Sequence, residues 1–336
     1  MAKKIRLEDL ARMSGVSIAT VSRALNDSPA VNEQTKREIW KLARKNGYNL
    51  RPTMPSSLDR AAGTITIIIP PPQGREGWLL DPFFQELIGS LGEAARDRRC
   101  DLCISHASPQ NFDDLSRLLE LNPSEGVIIL GQSFLHERLN RLVGHPTKFV
   151  VWGGDLPGQR YCSVGTDNVR GGERATSYLA RLGRRRIAFL GDTEAPEIGQ
   201  RYEGYLKALQ KAGLSPDPAL VSPAHFKTES AEAVIDSFVS SRTKFDAIFA
   251  SSDMIAIGAI RALQRHGIVV PDDVSIVGYD DVQLARYNRP ALTTIRQDLT
   301  KAGDLMVAKL LNAGESRNMV SERLPIELIV RESCGG

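Results

Sequence analysis

The sequence predicts a small domain of three helices followed by an α/β body built from two doubly wound parallel sheets. Three observations support this: a basic N-terminal segment with helical spacing of its apolar residues, a continuous β-branched run at 64–70, and strand-like segments alternating with helix-like ones after that run. The 336 residues allow two or three domains. With 42% hydrophobic and 25% charged residues, the composition excludes a disordered, fibrous or disulfide-scaffold protein.

Composition also bears on the compartment. No apolar run reaches the roughly 18 residues of a membrane span, and the N-terminus lacks the apolar core of a signal peptide. The four cysteines (Cys100, Cys103, Cys162 and Cys334) do not demand disulfides. We therefore expect a cytoplasmic protein that does not associate with membranes.

Charge is distributed unevenly along the chain. Residues 1–60 hold 12 Lys and Arg against 6 Asp and Glu, a net of +6, whereas the remaining residues carry a net of −3. A basic head on a mildly acidic body suggests that the head meets a polyanion. On charge alone, a solvated basic surface explains the pattern equally well. The sequence motif of this segment must distinguish the two interpretations.

The first fifty residues have the pattern of a helix-turn-helix. Residues 6–13 form an amphipathic segment that ends at Gly15, and Ser17 is a suitable N-cap for a second helix from Ile18 to about residue 26. A third helix follows the Asn32 cap and stops at Gly47. Two short helices around a turn that contains glycine expose the second helix to the DNA major groove.

This segment closely resembles the DNA-binding headpiece of the LacI/GalR family of bacterial transcriptional regulators. The match is carried by Leu10-Ala11, Gly15-Val16-Ser17, Thr20-Val21-Ser22-Arg23, Leu25-Asn26, Val31, Thr35 and Ile39. The resemblance implies that Ile18, Ala19 and Arg23 read bases. It further implies that phosphate contact and docking fall to Ser17, Thr20, Ser22 and Asn26. Arg23 can donate two hydrogen bonds to guanine, while Ile18 and Ala19 offer apolar contact, for example to a thymine methyl. Family headpieces with small apolar residues at the Ile18 and Ala19 positions resemble those that read TGTAA-like half-sites around a central CG. We therefore expect half-sites of this kind.

Residues 51–63 form the predicted hinge between a headpiece at 1–50 and a body at 64–336. In the family, a hinge helix forms on the operator and a leucine wedges into the minor groove. Leu58 is the candidate here, and Met54 is the alternative. The usual Ala-Arg-Ser-Leu pattern is absent, and Pro55 can only begin such a helix.

The body is similar to the family's effector domain and to periplasmic sugar-binding proteins. The matching segments include 81–84, 125–130, 201–205, 252–258 and, most specifically, 270–281 and 290–297. The resemblance implies two subdomains, the first at about 64–158 and 294–322 and the second at about 159–293 and 323–336. Their cleft would lie at the carboxyl ends of the strands.

A small-molecule effector, with a sugar as the expected class, is implied in that cleft. Arg201 and Asp280 match the two strongest anchors. Ser252, Asp253 and Gln297 match positions at or beside the pocket, and Phe83 or Phe84 matches its apolar wall. Where many sugar-binding relatives carry aspartate, this chain has Trp152-Gly153-Gly154, so Trp152 becomes a possible stacking surface. A structural Arg201–Asp280 ion pair and a core position for these aromatic residues are the alternatives.

Enzyme motifs are absent from the sequence. It contains no Gly-x-Gly-x-x-Gly, P-loop, Gly-x-Ser-x-Gly or His-Glu-x-x-His pattern, and no metal-ligand spacing among its histidines. Cys100 and Cys103 fall on a predicted strand and face opposite sides, which favours structural cysteines. We therefore expect no catalysis, cofactor or metal.

The expected function is a dimeric repressor that binds a near-palindromic operator in double-stranded DNA. The alternatives are a regulator that needs a corepressor or activates, responding to a nucleoside or another polar metabolite, and a sugar-binding protein or α/β enzyme.

Overall fold

The computed structural model describes residues 5–25, 28–46, 48, 63–70, 81–105, 112–121, 124–132, 135–225, 228–312 and 319–336. These residues belong to two compact units, residues 1–60 and 61–336. Two of the predicted DNA-contacting residues, Asn26 and Leu58, lie outside the described residues, as does the hinge up to residue 62.

The first unit is a three-helix domain. Its helices are α1 (Leu7–Ser14), α2 (Ile18–Leu25) and α3 (Glu33–Lys45). Gly15 ends α1 with a φ of 68°, a left-handed conformation that glycine adopts without steric cost. Leu10, Val21 and Ile39, one residue from each helix, are buried together in a small core. The indole N–H of Trp40 donates to the Ala24 carbonyl at 3.3 Å, which ties α3 to α2.

The second unit contains two six-stranded sheets, of which the first is entirely parallel. Its strands are β1 (Gly63–Ile68), β2 (Cys100–Ser105), β3 (Gly126–Leu130), β4 (Phe149–Trp152), β5 (Ser163–Thr166) and β11 (Glu322–Leu324), in the order β11-β5-β4-β3-β1-β2. Its helices are α4 (Pro82–Asp97), α5 (Phe112–Leu121), α6 (His136–Arg141) and α12 (Leu299–Asn312). Helices α4 and α12 cover Ile65 and Ile67 on one face, and α5 and α6 cover Ile68 and Val127 on the other.

The second sheet is parallel except at one edge. Its strands are β6 (Ile187–Leu190), β7 (Val221–Ser222), β8 (Ala247–Ala250), β9 (Ser275–Asp280), β10 (Thr293–Gln297) and β12 (Ile326–Ile329), in the order β12-β10-β9-β8-β6-β7. Among the strands described in this sheet, only β12 runs antiparallel, against β10. The accompanying helices are α7 (Asn168–Arg181), α8 (Pro196–Lys211), α9 (Thr228–Ser240), α10 (Asp253–Arg265) and α11 (Gln283–Tyr287). Both faces are again buried, so the doubly wound prediction is confirmed.

Strand pairing corrects the predicted subdomain boundaries. The strand at 163–166 was expected in the second subdomain, but it pairs with β4 and β11 and so belongs to the first sheet. The strand after Thr293 was expected in the first subdomain, but it pairs with β9 and β12 in the second sheet. The chain returns to the first subdomain only with α12, which packs in its core. Three short connections, at Asp167, Asp298 and Pro325, therefore cross between the sheets.

Two glycines bring α7 and α8 together. A Cβ atom at Gly172 would overlap the Arg201 carbonyl, and one at Gly204 would overlap the carbonyl of Val169. Glycine at both positions allows the two helix backbones to touch. This contact fixes the position of α8, whose first turns point toward the first sheet.

Candidate DNA-binding and effector sites

Helix α2 separates its core residues cleanly from its outward residues. Val21 and Ala24 are fully buried, whereas Ile18 is 48% exposed and Ala19 and Arg23 are also exposed. The Ser17 hydroxyl accepts from the Thr20 backbone N–H at 3.1 Å and lies 2.9 Å from the Thr20 hydroxyl. We define the α2 face as Ser17, Ile18, Ala19, Thr20, Ser22 and Arg23. Its base-reading candidates are accessible, and the Ser17 hydroxyl caps the helix that carries them.

In the second unit, strand-end residues of the two sheets lie close together, and we call the region between these carboxyl ends the cleft. Its floor consists of residues at the strand ends, whose side chains form hydrogen bonds from one sheet to the other. The Thr166 hydroxyl donates to Gln297 Oε1 at 2.6 Å, and Gln297 Nε2 donates to Asp280 Oδ1 at 2.7 Å. Asp280 has a φ of 118°, a strained conformation for a non-glycine residue that often marks a functional position. Its pKa is raised to about 7, chiefly by burial and also by the nearby carboxylates of Asp81 and Glu86, whereas Arg201 and Gln297 oppose the shift.

Arg201 is locked in place beside Asp280. Its Nε donates to Asn168 Oδ1 at 2.9 Å, its Nη1 donates to the Ser251 carbonyl at 2.6 Å, and its Cζ lies 3.6 Å from the centroid of the Tyr279 ring. Nη1 lies 3.9 Å from Asp280 Oδ1. This separation is longer than a hydrogen bond, so the two groups are held close together without a tight ion pair.

Asp253 and Ser252 lie beneath this floor. The Asp253 carboxylate is fully buried and accepts from the Thr294 hydroxyl at 2.5 Å and the Val282 N–H at 2.9 Å. Burial raises the pKa of Asp253 well above its ordinary value, and the proximity of Asp280 adds to the shift. The Ser252 hydroxyl accepts from the Ile255 N–H and caps α10. In this geometry Asp253 connects the start of α10 to Thr294 in β10 and to Val282 just after β9, whereas Ser252 fixes the start of α10 itself.

An aromatic wall stands on the first subdomain. The Phe83 ring centroid lies 5.4 Å from that of Phe84 and 5.9 Å from that of Trp152. Trp152 is 6% exposed and packs in the core of the first sheet, while both phenylalanines are half-buried against that core. Trp152 therefore lies close to the predicted alternative, in which it is a core residue and not a stacking surface. The rings of Phe83 and Phe84 offer the more accessible apolar surface.

Several acidic residues of the cleft were missed by the sequence reasoning. Asp81 caps α4 by accepting from the Phe83 N–H at 2.9 Å, and burial raises its pKa to about 6. Glu86 Oε1 accepts from the Gln283 N–H at 2.7 Å and joins the two subdomains. Glu197 lies one turn before Arg201, and burial raises its pKa despite the opposing effects of Arg201 and Arg323. Helix α8 begins at Pro196, a typical first helical residue, so Glu197 lies in its first turn.

Two glutamines fill the turn where an aspartate was expected. The Gln132 amide donates to the Gly154 carbonyl at 3.0 Å and accepts from the Gly154 N–H at 2.8 Å, while Gln200 Nε2 donates to the Asp155 carbonyl at 2.5 Å across the cleft. A Cβ atom at Gly153 would collide with Gln132, and one at Gly154 would lie 2.5 Å from Gln200 Oε1. The glycine pair therefore makes room for both amides.

Comparison with known proteins connects both sites to one function. Residues 6–49 match the model for bacterial regulatory proteins of the lacI family, and residues 176–334 match the periplasmic binding protein-like domain. The HTH-type transcriptional regulator RegA of Clostridium saccharobutylicum is 34% identical, with 97% of this chain and 98% of the relative covered. The chain belongs to the LacI family of bacterial transcriptional regulators.

Two solved structures support the fold assignment. A complex of the transcriptional regulator CelR with cellobiose has 29% identity and a TM-score of 0.69, with 98% of this chain and all of that chain covered. The lac repressor dimer bound to operator is 20% identical, with a TM-score of 0.72 and 99% of each chain covered, and it shows the same fold. The predicted family and fold class are thereby confirmed, and because the relatives are transcriptional regulators, so is the prediction that this protein is not an enzyme.

The family assignment leaves the residue roles as predictions. The structure brings Phe83, Phe84, Arg201, Asp280 and Gln297 to the cleft, with Ser252 and Asp253 below its floor.

In the part of the chain that the structure describes, no helix is long and apolar enough to cross a membrane. Within the same residues, no group of His, Cys, Asp or Glu side chains is arranged to hold a metal ion. Cys100 is buried and Cys103 exposed, as expected for opposite faces of one strand.

Proposed function

We propose that this regulator acts as a homodimeric repressor that binds a near-palindromic operator in double-stranded DNA and responds to a sugar bound in the cleft. The exposed α2 face carries the DNA half of the proposal, because Ile18, Ala19 and Arg23 point outward from a helix whose inner residues are fully buried. Each headpiece would read one half-site, and twofold symmetry would give the operator its palindrome. Ser17, Thr20, Ser22 and Asn26 would hold phosphates, and Leu58 would be the minor-groove wedge.

The cleft carries the effector half. Polar groups at the strand ends, an aromatic wall and few charged anchors are the usual features of a small-molecule site. In the CelR complex the bound molecule is cellobiose, and the similarity over nearly the whole chain supports a sugar here. Effector binding would change the relative position of the subdomains and thereby the ability of both hinges to order on DNA.

The test begins with selection of genomic DNA fragments by the purified full-length protein. We expect a shared palindromic site, and Arg23→Ala should weaken its binding by about 1–3 kcal/mol and relax discrimination in each half-site. Arg181→Ala, which removes one exposed arginine from the last turn of α7, is the control and should leave specificity unchanged. Unchanged specificity in Arg23→Ala would refute the assigned reading residue, and enrichment without a shared sequence, with or without added sugars and nucleosides, would refute the proposed operator.

A further inference from the structure

A chain of hydrogen bonds in the first subdomain joins the protein surface to the cleft. His136, the first residue of α6, has a side chain that is 19% exposed, whereas Tyr161 and Gln132 are buried. His136 Nδ1 lies 3.0 Å from the Tyr161 hydroxyl, and that hydroxyl lies 2.9 Å from Gln132 Nε2. Gln132 in turn bonds both the N–H and the carbonyl of Gly154. We call these residues the His136 network. It connects a histidine that solvent reaches with the glycine turn beside the cleft.

Neighbouring groups fix the direction of each hydrogen bond in the His136 network. The Gly154 N–H donates to Gln132 Oε1 at 2.8 Å, so the amide nitrogen of Gln132 is the atom that faces Tyr161 and donates to its oxygen. His136 Nε2 lies 3.1 Å from the Pro157 carbonyl, which can only accept, so neutral His136 carries its proton on Nε2. Nδ1 is then an acceptor, and the Tyr161 hydroxyl donates to it.

Protonation of His136 is incompatible with this arrangement. A second ring proton, on Nδ1, would point at the Tyr161 oxygen, which would then face two donors. Among the described residues, no other acceptor lies within hydrogen-bond distance of this hydroxyl, so its own hydrogen would be left unbonded in a buried position. The conflict ends when the Gln132 amide withdraws from Tyr161, and Gln159 Oε1, at 2.9 Å from Gln132 Nε2, offers that amide another acceptor. Because Gln132 also holds Gly154, the turn is released with it.

Charged side chains surround the His136 network on the elements that pack against it: Glu137 on α6, Asp155 and Arg160 in the loop before β5, Glu197 on α8 and Arg323 on β11. Glu137 Oε1 lies 3.8 Å from His136 Nε2, but this carboxylate is largely exposed, so solvent and salt screen the attraction. Burial raises the pKa of Tyr161, so its hydroxyl keeps its proton near neutral pH. His136 is therefore the member of the network whose charge can change.

We propose that His136 is a pH-responsive positioning residue: its neutral form holds the Gly153-Gly154 turn against Gln132, and its protonation loosens that turn. Histidine is the side chain whose charge ordinarily changes between about pH 5 and pH 8, so the turn responds to acidification near neutral pH. The consequence for an effector rests on the proposed function. A ligand of the cleft that contacts this turn would bind more weakly as the pH falls.

Hydrogen–deuterium exchange of the full-length protein, measured by mass spectrometry without DNA or effector, follows the peptide that contains Gly153 and Gly154. After correction for intrinsic exchange rates, we expect its protection to be about fivefold lower at about pH 5.5 than at about pH 7.5. His136→Asn keeps an acceptor near the position of Nδ1 but cannot be protonated. Tyr161→Phe removes the hydroxyl that couples the ring to Gln132. Each variant should lose most of this pH dependence.

The variants also separate His136 from carboxyl groups that titrate in the same interval. Asp81 and Asp280 have pKa values of about 6 and about 7, and their contribution remains in His136→Asn. The difference between the wild type and this variant is therefore the part due to His136. His266→Asn is the control, because this histidine contacts Asp236 in the second subdomain and the substitution should leave the pH dependence of the turn unchanged.

Equal protection of the turn at both pH values in the wild type would overturn the proposal, and so would a His136→Asn protein that loses protection as the wild type does. A His266→Asn protein that loses the pH dependence would show that the response is not specific to His136 and would also overturn it. Circular dichroism establishes that all three variants are folded. Because the exchange is measured without DNA or ligand, its result is independent of operator and sugar binding, which test the proposed function separately.

Discussion

Replacing Asp280 by asparagine should stabilise the protein at alkaline pH and have a much smaller effect at acidic pH. The pKa of Asp280 is about 7 in the folded chain, against an ordinary value of 3.8. The folded state therefore holds a proton that the unfolded chain releases at lower pH. The stability that this proton contributes is complete below about pH 4 and is lost as the pH rises through 7. The full loss corresponds to about 4 kcal/mol, of which roughly 2–3 kcal/mol falls between pH 5 and pH 8.

Asparagine keeps the oxygen that accepts from Gln297 and tolerates the positive φ, so it removes the charge with little change in shape. Urea unfolding followed by circular dichroism at pH 5 and pH 8 measures the effect. The advantage of the variant should grow by roughly 2–3 kcal/mol over this interval. Asp97→Asn, at a surface side chain that is 71% exposed, is the control and should change stability by less than about 0.5 kcal/mol. An equal effect of Asp280→Asn at both pH values would refute the assigned protonation of this carboxyl group.

Two further predictions concern packing of the second unit. Gly204→Ala places a methyl group against the backbone of α7, which cannot move aside as a flexible side chain would. The substitution should lower the free energy of unfolding by about 1–3 kcal/mol or more. An unchanged melting temperature would show that the two helices are not held in this contact. Leu91→Ala empties a fully buried position in the core of the first sheet and should cost about 2–5 kcal/mol in urea unfolding, and a loss below about 1 kcal/mol would contradict that packing.

Local structure followed closely from the sequence because the relevant signals are short-range. Gly15 ends α1 and Asn32 caps α3, as predicted, and residues 64–68 of the β-branched run belong to β1, which begins at Gly63. These residues act on their own turn or strand, so a single chain suffices to place them.

The connections between the subdomains were predicted less well. Whether the strand at 163–166 joins one sheet or the other depends on its partners β4 and β11, and β11 lies more than 150 residues away along the chain. The antiparallel addition of β12 likewise carries no local signal. The resemblance led directly to Arg201 and Asp280, whereas Gln200 was missed because its significance depends on a turn in the opposite subdomain.

The three crossings between the sheets have a consequence for biosynthesis. The first sheet is completed by β11 and the second by β12, and both strands lie within residues 322–329. Contacts between residues far apart in the chain form slowly, because a long loop must close first. A ribosome that has made the first 300 residues has therefore finished neither sheet, and the nascent chain exposes two incomplete edges at once. The two subdomains cannot be produced one after the other as independent folding units; they must be completed together.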